Sequence, residues 1–158
     1  MLGLAAAVHD VGMPAVSDGV FDASAPLTPL QREAMQKHVE HGVGLLRPLE
    51  AIGALREVVL AHHEWWDGSG YPRGLSGADI PSGARALAVV DAFESMTRGR
   101  PHRAPMSKHA ALNEIVRLAG RQFDPDAVDA LERALQKMKW DEAMHVTDAA
   151  PSATDPGR

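Results

Sequence analysis

No stretch of the 158-residue chain alternates apolar and polar residues as a half-buried strand would. Apolar positions recur at helical spacing nearly throughout. An all-α helical bundle is therefore expected. Residues 2–9 read as the end of a helix, broken by Gly12 and Pro14 and followed by a loop-like stretch from Met13 to Pro26. Thr28 is an N-cap candidate, with Pro29 at the first helical position and Gln31 completing a capping box, and that helix is expected to reach about Leu46. Another should cover about Ala51 to Trp66, with Leu55, Val59, His62 and Trp66 on one stripe. Asp67 to Gly83 holds five glycines and two prolines and reads as a structured loop. Helices follow from Pro81 or Ser82 to about Thr97, from the Ser107 cap to Gly120, and from Asp124 and Pro125 to about Trp140. One domain over 1–140 and a disordered tail over 141–158 complete the expectation.

Composition narrows the chemistry. With no cysteine, disulfides, thiolate zinc sites, iron–sulfur clusters and a cysteine nucleophile are excluded, so any metal must be held by imidazole and carboxylate. A net charge of −5 argues against a general grip on nucleic acid. No run approaches the length of a membrane span, and the apolar run Leu2–Val8 is too short for a signal peptide, which leaves a cytoplasmic protein as the default.

Eight histidines stand against that absence of cysteine. His9 and Asp10 are adjacent at the end of the first helical segment, His38 lies within the second, His62 and His63 near the end of the third, and Asp91 inside the fourth. These donors suit manganese, iron, nickel, cobalt or zinc, and a carboxylate such as Asp10 has two oxygens with which to bridge two ions. Neighbouring histidines on a helix diverge by roughly 100°. His62 and His63 therefore cannot both face an ordinary core. Taken singly the signals are weak, because a lone helical histidine is more often hydrogen-bonded or exposed than a ligand. Asp91 falls on the apolar stripe of its helix, where a carboxylate wants a cation, a metal being one candidate among several. His41 is expected to pack, and His109 and His145 to lie on the surface.

The run from His62 to Pro72, His-His-Glu-Trp-Trp-Asp-Gly-Ser-Gly-Tyr-Pro, is long and of low degeneracy. It resembles the HHExxDGxGYP signature of HD-GYP domains, a branch of the HD phosphohydrolase superfamily. The likeness runs from about Leu4 to Leu135. It takes in the His9–Asp10 pair, the helix with His38, Ile80-Pro81 with Arg85, Asp91 with Phe93, the R-P-x-R of Arg100 to Arg103, and Gly120 to Pro125.

This resemblance implies an all-α bundle of the HD type that binds divalent metal ions, such as iron or manganese, and hydrolyses the bacterial second messenger cyclic di-GMP to linear di-GMP or GMP. It implies that Asp10 bridges two ions, one also taking His38, His62 and His63, the other His9 and Asp91. A hydroxide between the ions would attack phosphorus in line, which makes His9 and Asp10 the catalytic pair. Tyr71 would contact the dinucleotide, Gly70 would allow close approach, and Arg100 and Arg103 would hold the phosphates. Such domains commonly follow receiver or sensor domains in response regulators, and contacts with a partner protein through the GYP loop are implied, with a homodimer left open.

Two departures qualify the match. The family carries a further ligating histidine on a helix well before the HD pair, whereas only eight residues precede His9. The chain is thus expected to be incomplete at its N-terminus, lacking the first ligand-bearing helix, with one ion held weakly and an apolar face left uncovered. The family usually reads H-D-x-G-K, but Met13 stands at the lysine position and supplies no charge. A catalytically weak or inactive module that binds cyclic di-GMP or a partner is the alternative reading.

Overall fold

The computed structural model describes residues 2–16, 27–49, 52–99 and 104–138. Among them are seven α-helices: α1 (Leu2–Val8), α2 (Pro29–Gln36), α3 (His38–Leu46), α4 (Gly53–Ala61), α5 (Ser82–Arg98), α6 (Lys108–Arg117) and α7 (Pro125–Lys137). Two short 3-10 turns, Met13–Ala15 and Gly77–Asp79, lie in the connections. The described residues contain no strand beyond an isolated bridge between Ala119 and Phe123. The all-α class is as expected. The proposed tail from 141, His145 and Trp140 lie outside the described residues.

The helix starts follow from local chemistry. Thr28 accepts a hydrogen bond from the Gln31 backbone N–H at 3.3 Å, and its own N–H donates to Gln31 Oε1 at 2.9 Å, closing the capping box. Ser107 accepts from the N–H of Ala110, and Asp124 accepts from that of Asp126.

Three helix ends differ from the expectation, α6 stopping at Arg117 and not at Gly120. The segment running to Leu46 is interrupted at Lys37 and forms α2 and α3. There His38 Nδ1 bonds the Met35 carbonyl at 2.8 Å, a side chain taking an acceptor that a continuous helix would use for backbone. The helix expected to reach Trp66 stops at Ala61, because the chain beyond it turns to another partner: Trp66 and Asp67 donate their N–H groups to Gln122 and Arg121 carbonyls at 3.1 and 2.9 Å.

α5 is the central element, packing against α1 and α4 on one side and α6 and α7 on the other. One apolar cluster joins Ala5, Leu55, Val58, Ala61, Ile80, Ala84 and Leu87. A second joins Val89, Ile115, Phe123 and Val128. Both clusters draw on α5, so α5 relates the halves of the bundle rigidly. Among the described residues no helix is long and apolar enough to cross a membrane. On α1, Leu2 and Leu4 turn to solvent.

Candidate metal centre

His9 and Asp10 follow the last turn of α1, and the tight bend behind them is held by contact between backbones. A side chain on Gly12 would put Cβ 2.0 Å from the His38 carbonyl oxygen and 2.5 Å from the Gly42 nitrogen. Only glycine lets the bend lie this close against α3. That approach sets Asp10 beside His38, with Oδ1 3.4 Å from His38 Nε2 and Oδ2 3.4 Å from His9 Nε2. One carboxylate thus faces two imidazoles with its two oxygens. His9 Nε2 also lies 3.6 Å from Oδ1 of Asp91, which α5 carries in from the other side.

The imidazoles share a mode of anchoring. His9 Nδ1 donates to the Ala6 carbonyl at 2.9 Å, His38 Nδ1 to Met35 at 2.8 Å and His62 Nδ1 to Val59 at 2.7 Å. A carbonyl only accepts, so each ring carries its proton on Nδ1. All three Nε2 atoms are buried without a hydrogen-bond partner. In the neutral rings of His38 and His62 that leaves orphaned acceptors, a cost that a cation among them would remove, whereas in the metal-free chain the carboxylates of Asp10 and Asp91 keep a proton on His9 Nε2. Donor atoms of Asp10, His38, His62 and His63 all lie within 4.8 Å of one another, close to the span of ligands around one ion. The donor set, with His38 and His62 buried, His63 half-buried and Asp10 open to solvent, therefore fits a divalent metal.

Ending α4 at Ala61 allows His62 and His63 to act together. In a continuing helix they would point apart, but in the turn their ring centroids are 4.0 Å apart with planes tilted by 42°. His62 is also 5.2 Å from the His9 ring and His63 is 5.1 Å from that of His38.

Charge follows the geometry. Burial pushes His62 down to about 4, and burial with its imidazole neighbours pushes His63 down to about 3, so both are neutral and able to act as ligands at pH 7. The Asp10 and Asp91 carboxylates hold His9 up at about 10 in the metal-free chain, and His9 in turn lowers Asp10 to about 2 and Asp91 below the usual carboxylate range.

Tyr71 stands next to this cluster. Its N–H donates to the His63 carbonyl at 3.1 Å, and its ring stacks on the His63 ring at 4.9 Å with 28° between planes. Gly70 has a structural reason to lack a side chain, since a Cβ would lie 2.2 Å from the Trp65 nitrogen; the close approach there is to the chain's own backbone. Arg100 and Arg103 lie outside the described residues. His41 and His109 are exposed, which agrees with the surface expectation for His109 and departs from the packing expected of His41. A cleft of about 250 Å³ opens beside the cluster, lined by His63, Trp65, Asp91, Ser95, Gln122 and Phe123 among others.

Sequence reasoning passed over Glu64. Its carboxylate is buried and accepts the N–H groups of Arg73 at 2.7 Å and Leu75 at 3.0 Å. The signal was available, because a glutamate directly after two ligand candidates at the end of a buried stripe needs a reason to be there.

Comparison with known proteins agrees with this architecture. The family model described as HD domain matches residues 1–127. A protein named cyclic di-GMP phosphodiesterase from Thermotoga maritima is 38% identical over 130 residues, covering 80% of this chain and 35% of the relative. The cyclic di-GMP phosphodiesterase response regulator RpfG of Xanthomonas campestris pv. campestris is 38% identical, covering 88% and 37%. The 3'3'-cGAMP-specific phosphodiesterase 2 of Vibrio cholerae is 33% identical, covering 96% and 28%. The chain thus spans between 28% and 37% of the length of these curated relatives. A crystal structure of a cyclic GMP-AMP specific phosphodiesterase of V. cholerae superposes with a TM-score of 0.67 at 19% identity, covering 93% of this chain and 40% of that one, a likeness of fold.

Proposed function

This chain belongs to the HD domain family, and from that membership and the histidine cluster we propose that it is a metal-dependent phosphodiesterase acting on cyclic di-GMP. The observation that carries the reading is the set of three imidazoles, each bonded through Nδ1 to a carbonyl and each with a buried Nε2 that makes no hydrogen bond, those of His9 and His38 3.4 Å from the two oxygens of Asp10. Such anchoring is the usual outer support of a metal-ligating histidine.

Two divalent ions would fit this arrangement, with manganese or iron the pair that the HD-GYP resemblance implies. Asp10, His38, His62 and His63 would hold one, and His9, Asp10 and Asp91 would hold the other, with Asp10 common to both sets. When bound, such ions supply Lewis-acid charge to a phosphoryl oxygen and acidify water. The chain's own residues do the rest. His62 and His63, neutral at pH 7, keep their donor atoms free of protons. Tyr71, stacked on His63, offers an aromatic face to the dinucleotide at the edge of the cluster. Gly70 allows the loop bearing Tyr71 to seat on Trp65. Arg100 and Arg103 take the phosphates, for which a guanidinium fork is suited.

The test is to incubate the metal-stripped chain with Mn²⁺ or Fe²⁺ and cyclic di-GMP, following linear di-GMP and GMP by chromatography. Hydrolysis that disappears in His62→Ala and His63→Ala supports the reading. A folded chain that turns over nothing with any divalent metal overturns it. Because some relatives carry names specific to 3'3'-cGAMP, that dinucleotide is run in parallel, and a preference for it would reassign the substrate.

Met13 favours a second reading. It supplies no charge where the HD-GYP signature carries a lysine, so the chain would bind the dinucleotide without cleaving it. Calorimetry separates the two, since heat of binding without product identifies the binding module.

A further inference from the structure

Glu64 connects the metal cluster to the loop that follows it. Its side chain is 3% exposed, and its two oxygens accept different backbone N–H groups, Oε1 that of Arg73 and Oε2 that of Leu75. The Arg73 guanidinium goes elsewhere, to Glu57 at 3.0 Å. Both acceptor sites thus bind main chain. Tyr71 lies between the two ends of this clamp. Upstream, Gly70 is pressed against the Glu64–Trp65 backbone, and downstream Arg73 and Leu75 are tied to the Glu64 carboxylate. In between, Tyr71 has its N–H on the His63 carbonyl and its ring on the His63 ring.

We propose that Glu64 is a positioning residue that acts through Tyr71: it folds the loop back so that the phenol ring stays stacked on a metal-ligating imidazole. The side chains of Glu64 and Tyr71 do not need to touch for this. A carboxylate is required because both partners are donors. Glutamine would put an amide N–H₂ against one backbone N–H, breaking one end of the clamp. The inference rests on the phosphodiesterase reading only for its kinetic consequence, because the stacking itself can be observed without substrate.

Tyr71 is the only tyrosine in the chain, so ring-labelled tyrosine gives a single spin system by NMR. In the full metal-free chain its signals should be shifted by the His63 ring, and Zn²⁺ should move them further. In Glu64→Gln they should shift toward free-tyrosine positions and cease to respond to Zn²⁺, while Zn²⁺ affinity changes less than about threefold, well short of the loss expected on removing a group that bonds a ligand side chain, because the Glu64 carboxylate bonds only the Arg73 and Leu75 N–H groups. Wild-type tyrosine signals in Glu64→Gln would overturn the proposal. Should Glu64→Gln fail to fold, Glu64→Asp decides. Its shorter carboxylate cannot span both N–H groups, so a partial shift supports the clamp and an unchanged spectrum rejects it.

The kinetic arm is a double-mutant cycle. Glu64→Gln should raise KM for cyclic di-GMP about tenfold with kcat nearly preserved, and should cost almost nothing further in a Tyr71→Ala background. Equal cost in both backgrounds would mean that Glu64 acts without Tyr71. Failure of the wild-type chain to use any cyclic dinucleotide would defeat the phosphodiesterase reading and leave the spectroscopic result to judge Glu64.

Discussion

Arg85 Nη1 lies 2.6 Å from Asp124 Oδ2, joining the middle of the bundle to the start of α7 across 39 positions of sequence. The same Asp124 caps α7 through its other oxygen, and the Arg85 guanidinium stands 5.7 Å from the centre of a Trp66 ring. One ion pair therefore ties α5, α7 and the start of the loop after the histidine pair.

Breaking this pair should cost stability without touching the metal ligands. Arg85→Met leaves Asp124 buried without its cation and is expected to lower unfolding free energy by about 3 kcal/mol. Asp124→Asn keeps an oxygen to cap the helix and should cost less than Asp124→Ala, which loses cap and charge together. Urea midpoints check the order. Equal midpoints for the two Asp124 variants would contradict it.

Metal stoichiometry should separate the two groups of ligands. On the proposed two-ion arrangement, Asp91→Asn is expected to reduce bound metal from two ions per chain to one, and His62→Ala should do the same at the other position. Asp10→Asn should weaken both, since its two oxygens face His9 and His38. Elemental analysis after gel filtration reads the result, and identical loss in Asp91→Asn and Asp10→Asn would deny that Asp10 is shared.

The metal-free chain should be most stable near neutrality. His62 sits at about 4 in the folded state against 6.5 ordinarily, so the unfolded chain binds its proton first. Its contribution is present above pH 6.5 and lost as pH falls toward 4, a loss of a few kcal/mol. His63 acts in the same direction. His9 is raised to about 10, so its contribution is present below pH 6.5 and lost as pH rises through 10. Melting temperature measured in a chelator from pH 4 to 10 should therefore fall on both sides, and His62→Gln should flatten the acid side. A level profile between pH 4 and 7 in the wild type would show that His62 is not buried neutral.

Gly12→Ala should be more damaging than its size suggests. The added carbon meets the His38 carbonyl oxygen at 2.0 Å and the Gly42 nitrogen at 2.5 Å, so α3 and the bend at Asp10 must separate. A destabilisation above about 2 kcal/mol is expected, with a loss of metal affinity because Asp10 moves away from His38. Full metal affinity in a folded Gly12→Ala chain would speak against this placement of Asp10.

Met13→Lys puts a cation at the position where the HD-GYP signature carries a lysine. If turnover of the wild type is limited by that position, the substitution raises kcat by about tenfold with little change in metal content. An unchanged or lower rate assigns the limit elsewhere.

Features set by neighbouring residues were legible in the sequence. The capping box at Thr28 and Gln31, the caps at Ser107 and Asp124 and the span of α5 depend on interactions within a few positions. Features set by distant partners were not. Nothing near Trp66 announces that its N–H will go to Gln122, so the end of α4 was placed too late. The break at Lys37 comes from one imidazole taking one carbonyl, which leaves the apolar spacing intact. The same early end to α4 explains how His62 and His63 face one way, since the 100° divergence expected of them holds only inside a helix. The ligand candidates were found as a family pattern, while the reason they work, a separate carbonyl behind three of the rings, required the structure. Glu64 stood in plain view within the motif. Its partners are backbone groups, which no pattern of side chains reveals.

The three carbonyls behind His9, His38 and His62 each come from three residues earlier in the same segment. Each ring is aimed by its own stretch of chain and waits for no other ligand to arrive. A site assembled this way is shaped before any ion enters, and changing the ion asks for little rearrangement. Affinity should then follow the general order of divalent metals more than any preference built into the fold. The identity of the ion becomes a matter of which one the surroundings deliver.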